Sequence, residues 1–126
     1  MLISKEVQRF LIENIDSIAE LEALMFLRNH RDRNWRCALV ADQIYSSEEV
    51  TADLLMKLTK RGILTTDEKS PESFQYGPHD QETARMVDQV AEAYAKYLVP
   101  VTNLVHRKSR RSVGDLAQAF KLKKER

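Results

Sequence analysis

The chain has 126 residues, 43% hydrophobic and 31% charged, with a formal net charge of +1, which is about one domain with material for a core. No run approaches the ~18 apolar residues of a membrane span, and the start Met1-Leu2-Ile3-Ser4-Lys5-Glu6 lacks the basic-then-apolar pattern of a secretory signal. A single cysteine, Cys37, excludes an internal disulfide and a multi-cysteine zinc site, so the expected setting is the cytoplasm, with no membrane.

Only 3 Gly and 3 Pro favour a mainly α chain with few turns. In chain order, Ser4 to about Asn14 places Val7, Phe10 and Leu11 on one helical face. Ser17-Ile18-Ala19-Glu20 has the spacing of a capping box, a hydroxyl for an orphan N–H and a carboxylate three residues on. The helix it opens carries Leu21, Leu24, Met25 and Leu27 to about Asn29. After a polar link, Trp35 to about Ile44 reads as a short helix with Cys37, Leu39, Val40 and Ile44. Ser46 and Glu49 form a second capping box, and the helix behind it is expected to bury Val50, Leu54, Leu55 and Leu58. Gly62 stands where a left-handed residue ends that helix.

Ile63–Thr66 and Phe74–Gly77 predict a small β-hairpin around a polar turn. Asp80 opens a long helix. Along it Ala84, Val87, Ala91, Tyr94 and Leu98 form a heptad-like seam that Val101 and Val105 continue, with Pro100 expected to kink or break it. The seam packs on its own domain or pairs with a second copy, and a homodimer is the expectation. In 106–126, eight Lys/Arg stand against two acids, a net +6 that leaves the preceding residues at −5. Within this basic tail Val113, Leu116, Ala117 and Phe120 share one face of a short amphipathic helix.

The order helix, helix, turn, helix, Gly, hairpin over Ser17 to about Pro78 resembles a winged helix-turn-helix domain. The parts that carry the likeness are Ala23–Leu27, Leu39–Ile44, Ser47–Arg61 and the junction Arg61-Gly62-Ile63-Leu64. The long helix is similar to the dimerisation helix of some small bacterial winged-helix regulators. The fold class expected is therefore mainly α with a small β-hairpin. It divides into a winged-helix domain with an N-terminal helix (1–78), a long helix for dimerisation (79–105) and a basic tail (106–126).

The resemblance implies a dimeric DNA-binding transcriptional regulator. The candidate DNA contacts are Arg31, Arg33, Arg36, Lys57, Lys60, Arg61, Lys69, Arg107, Lys108, Arg110 and Arg111. Projected at roughly 100° per residue, however, the third helix turns Glu49, Ala52, Asp53, Met56, Thr59 and Lys60 outward. Carboxylates there oppose phosphate, and Met56 suits a protein surface. The alternative is a non-catalytic protein–protein module using Glu49, Ala52, Asp53 and Met56, with Val113, Leu116 and Phe120 as a docking helix. Glycines at 62, 77 and 114 cannot form a phosphate loop, and His30, His79 and His106 match no metal spacing. No enzyme, cofactor or metal is expected.

Overall fold

In the computed structural model, which describes residues 2–67 and 69–107, hydroxyls set the first two helices. The Ser4 hydroxyl accepts from the Val7 N–H at 3.2 Å and opens α1 (Lys5–Asn14). Ser17 accepts from the Glu20 N–H at 3.1 Å and opens α2 (Ile18–Asn29). The Glu20 carboxylate reaches back to the Asp16 N–H at 2.7 Å, one residue earlier than the expected box. Helix α2 buries Leu21, Ala23, Leu24, Met25 and Leu27 on several sides, which places it centrally.

The helix expected from Trp35 starts at Cys37. Trp35–Arg36 is a short strand, β1, paired antiparallel with a later strand at Phe74 and Ser73. Trp35 is anchored there by its Nε1–H on the His30 carbonyl, 3.0 Å, and by an edge-on contact with Phe26. Next come α3 (Cys37–Ile44) and α4 (Glu48–Lys60). Ser47 rather than Ser46 caps α4, accepting from the Val50 N–H. Its buried stripe is Thr51, Leu54, Leu55 and Leu58, the i, i+3, i+4, i+7 set. Val50 lies at the edge of that stripe and is exposed, which corrects its expected burial.

Helix α4 ends in a Schellman turn: the Gly62 N–H donates to Thr59 O and the Ile63 N–H to Leu58 O. Gly62 has φ +78°, and a Cβ there would collide with the His79 ring. Strands β2 (Leu64–Asp67) and β3 (Ser70–Tyr76) follow, with Leu64 opposite Tyr76 and an irregularity after Thr66. The expected hairpin is thus part of a three-stranded antiparallel sheet in the order β1-β3-β2.

Asp80 caps α5 (Gln81–Lys96) through the Thr83 N–H at 2.7 Å. The chain leaves helical geometry at Tyr97 (φ −130°) and resumes as α6 over 98–107. The break therefore precedes Pro100 instead of falling on it. This puts the proline in the first turn of α6, where its missing N–H costs no helical bond. Helix α5 packs on α1. Met86, Val87, Val90 and Ala93, with Val101 and Val105, join one buried cluster with Ile3, Val7 and Leu11. Val87, expected in a dimer seam, is wholly inside this core.

Arg61 ties the end of α4 to the α1–α2 junction. Its Nη1 donates to the Asn14 carbonyl and to Glu20 Oε1, the latter at 3.1 Å, and its Nη2 donates to Asp16 Oδ2 at 3.1 Å. Lys57 adds a contact to Asp16 at 3.5 Å. Burial raises the Glu20 carboxyl above the usual carboxylate range, more than the Asp16 N–H and Arg61 lower it.

Three expectations follow. Gly62→Ala should cost about 2 kcal/mol in urea unfolding from left-handed backbone strain and the His79 collision; adding His79→Ala should recover only the steric part. Arg61→Ala should cost about 3 kcal/mol, the low end for a severed buried pair because the guanidinium keeps some solvent. Because the folded carboxyl of Glu20 holds a proton that the unfolded one has released, its contribution to stability falls as pH rises from the usual carboxylate range through the raised value. Glu20→Gln should remove that slope from urea midpoints taken between about pH 4 and about pH 8.

Candidate functional site

Helices α3 and α4 use one side for the core and turn the other to solvent. On α4, Glu49, Asp53, Met56 and Lys60 follow the i, i+4, i+7, i+11 spacing opposite the buried stripe, forming one ridge. Met56 is 46% exposed, and Ala52 lies half-buried beside the ridge. On α3, Leu39 points away from buried Val40 and Ala41 and is 44% exposed. Val50, at 52%, stands in the first turns of α4.

Between the helices Tyr45 caps α3 in the left-handed conformation (φ 55°) with a ring 96% exposed. A bulky non-glycine residue there is strained by roughly 1 kcal/mol or more, and its ring contributes nothing to the core. These four are half of the eight large apolar side chains exposed among the described residues. All four lie on α3, on α4 or in the turn between them.

The charge on the same helices is mostly acidic. Asp42, Glu48, Glu49 and Asp53 are exposed and enter no salt bridge among the described residues. Some acids elsewhere are committed, Asp16 and Glu20 to Arg61, Asp88 to Arg28, Glu82 to Arg85 and Glu92 to Lys96, whereas Glu13, Glu22, Asp32, Asp67 and Glu72 likewise enter no salt bridge among the described residues. Glu48 and Glu49 also sit in the first turn of α4, where the helix dipole favours negative charge. Beside them Arg36, Cys37, Ala38, Ala52 and Glu72 line an open groove. The Cys37 thiol lies 3.5 Å from the Glu48 carbonyl and is held above its ordinary value by burial, then by the Glu48 charge. It stays protonated at neutral pH, which makes it a poor nucleophile.

The structure scatters the basic residues proposed for DNA. Arg31 donates to the Arg28 carbonyl at 3.0 Å and lies over the Tyr76 ring; Arg33 stacks 4.0 Å from the Trp35 ring centre. Arg36 is exposed at the groove, and Arg61 is engaged in the α1–α2 network. Lys57 touches Asp16, so Lys60 is the cation that extends the ridge. Lys69 lies on the β2–β3 turn and Arg107 in α6, both exposed. Lys108, Arg110, Arg111, Val113, Leu116 and Phe120 lie outside the described residues.

Of the dimer candidates, Ala84, Ala91 and Tyr94 are half-buried, Val87 is buried and Leu98 is exposed just past α5. Tyr94 donates a short hydrogen bond to Glu22 on α2, which fixes it to its own domain. The ridge residues Glu49, Asp53 and Met56 are thus placed together as the helical projection required. The exposure of Leu39, Tyr45 and Val50 was missed. One signal for Leu39 was available, since it is about 100° from Val40 on a helix whose inner face Val40 and Ile44 already define.

His30 bonds the Phe26 carbonyl, and His79 sits between Gly62 O and Asp80. Among the described residues no group of three or more His, Cys, Asp or Glu is placed to hold a metal ion, and no helix is long and apolar enough to cross a membrane. Compared with protein families, curated proteins and solved structures, the chain matches none.

Proposed function

We propose that the chain is a non-catalytic domain of winged-helix type whose α3–α4 face binds a protein partner carrying basic and apolar groups. The fold part of this reading is supported by the element order α2-β1-α3-α4-β2-β3 and by a hairpin that leaves α4 at Gly62. The functional part rests on one observation: the outward ridge of α4 presents Glu49, Asp53 and Met56, and the same two helices with their connecting turn also expose Leu39, Val50 and Tyr45.

Magnitudes favour protein over duplex DNA at this face. A carboxylate held about 6 Å from a phosphate at an effective dielectric of about 20 costs of order 2–3 kcal/mol before salt screening. Glu49 and Asp53 would both meet that cost if α4 entered a groove, and Lys60 offsets one of them. A cationic partner reverses both signs, and the apolar residues between the charges supply contact that phosphate and sugar cannot use. A second reading is carried by the +6 of 106–126. Arg107, Lys108, Arg110 and Arg111 are suited to phosphates, so the chain also binds duplex DNA through its tail, weakly and with steep salt dependence.

Fluorescence anisotropy separates the two. At about 0.15 M salt, a labelled basic amphipathic peptide should bind the full chain and weaken about tenfold or more on Asp53→Lys. Duplex of mixed sequence should bind only at low salt, with no loss on Met56→Ala or Lys60→Ala. Duplex binding that persists at the higher salt and drops on Lys60→Ala would put α4 in a DNA groove and end the protein reading.

A further inference from the structure

We infer that the occupant of the α3–α4 face in the free chain is the chain's own basic segment, residues 108–126, which a partner of the same chemistry must displace. This rests on the reading of that face as a protein-binding surface and names the class of its ligand.

Charge complementarity carries the argument first. Residues 108–126 hold Lys108, Arg110, Arg111, Lys121, Lys123, Lys124 and Arg126 against Asp115 and Glu125, a net +5. The face offers Asp42, Glu48, Glu49 and Asp53, none of them in a salt bridge among the described residues. Apolar complementarity comes second. Val113, Leu116, Ala117 and Phe120 fall at helical spacing in the sequence, immediately before the lysine run. On the face, exposed Leu39, Val50 and Met56 stand beside the carboxylates. Ligands of this kind set apolar side chains against exposed apolar ones and cations near neighbouring carboxylates.

Reach is the third point. The 19 residues after Arg107 span up to about 60 Å when extended, whereas a domain of this size is about 35 Å across. Contact within one chain is therefore open even with eight or so residues in a helix. A tether of that length holds the segment at an effective concentration near the millimolar range. A segment with only weak intrinsic affinity then covers the face most of the time.

The test uses the full wild-type chain. Zero-length carbodiimide coupling joins lysines to carboxylates in contact, and the products are mapped by mass spectrometry in the monomer fraction. Lys96 and Glu92, 2.9 Å apart, serve as the internal control. The expected products join Lys121, Lys123 or Lys124 to Glu48, Glu49 or Asp53, and they fall several-fold in Phe120→Asp and at about 1 M salt. Products confined to a dimer fraction, or directed to Glu22, Asp88 or Glu92, overturn the inference, as does the control product alone.

Binding of the basic peptide to the wild-type chain and to Phe120→Asp then separates the two levels. Affinity about fivefold or more higher in Phe120→Asp supports a resident tail. Equal affinity in both means that the face binds such ligands but the tail does not hold it, which defeats this inference and leaves the reading of the face intact. No binding to either defeats both.

Discussion

The far end of α4 is fixed from behind by one side chain, Arg61. The last turn of α1 leaves the Asn14 carbonyl without a helical partner, as helix ends must. Asp16 and Glu20 bring two carboxylates to the same place, one of them fully buried. A single guanidinium answers all three, with Nη1 on Asn14 O and Glu20 and Nη2 on Asp16. Lysine, a point charge without the planar fork, could not address three acceptors in these directions. The next residue, Gly62, supplies the left-handed turn, and the two after it, Ile63 and Leu64, enter the core. Four consecutive residues therefore fix the end of α4, launch the sheet and close the α1–α2 junction. A residue that reads as a phosphate contact by charge is committed to the fold by geometry.

That anchoring frees the other side of α4 from any duty in folding. The stripe Thr51, Leu54, Leu55 and Leu58 is wholly turned inward, and the Schellman turn and Arg61 hold its far end. Beyond the dipole interactions of Glu49 and Lys60 at its two ends, nothing on the ridge Glu49-Asp53-Met56-Lys60 packs the helix in place. Surface positions of this kind change stability by only about 0.5 kcal/mol either way, so folding does not dictate Met56 there, or Leu39 and Val50 nearby. Tyr45 goes further, since it is held in a strained backbone state with its ring in solvent.

Local chemistry was legible in the sequence, and long-range pairing was not. The caps at Ser4, Ser17 and Asp80, the Gly62 terminator and the ridge on α4 all depend on residues within a few positions of one another. The strand β1 depends on Phe74, almost forty residues away, so Trp35-Arg36 read locally as the start of a helix. Two adjacent serines each offered a cap, and the choice of Ser47 follows from the turn at Tyr45, where the Ser46 N–H already closes on Ala41 O. Val50 outranks Thr51 in hydrophobicity, yet the helical stripe selects Thr51 because Leu54, Leu55 and Leu58 set its direction. Glu20 satisfied a capping pattern but is also buried against Arg61, a partner from another helix. Val87 illustrates the same limit. A heptad spacing reports that a seam exists, whereas the partner that fills it, here the chain's own α1, is a tertiary fact.

The net charge of +1 is the sum of two opposed regions, and on the proposed reading their opposition links the two modes of binding. Once the tail is taken to rest on the acidic face, its lysines and arginines cannot neutralise those carboxylates and a phosphate backbone at the same time. A polyanion that captures the tail uncovers the face, and a basic partner that takes the face releases the tail. Each ligand then raises the affinity for the other by the same factor, because the coupling free energy is common to both. Under that proposal protein binding and nucleic-acid binding, which compete as explanations when α4 alone is considered, would be the two ends of one exchange. The tail would be the element shared between them, and Arg61 holds the end of α4 whether or not the tail is in place.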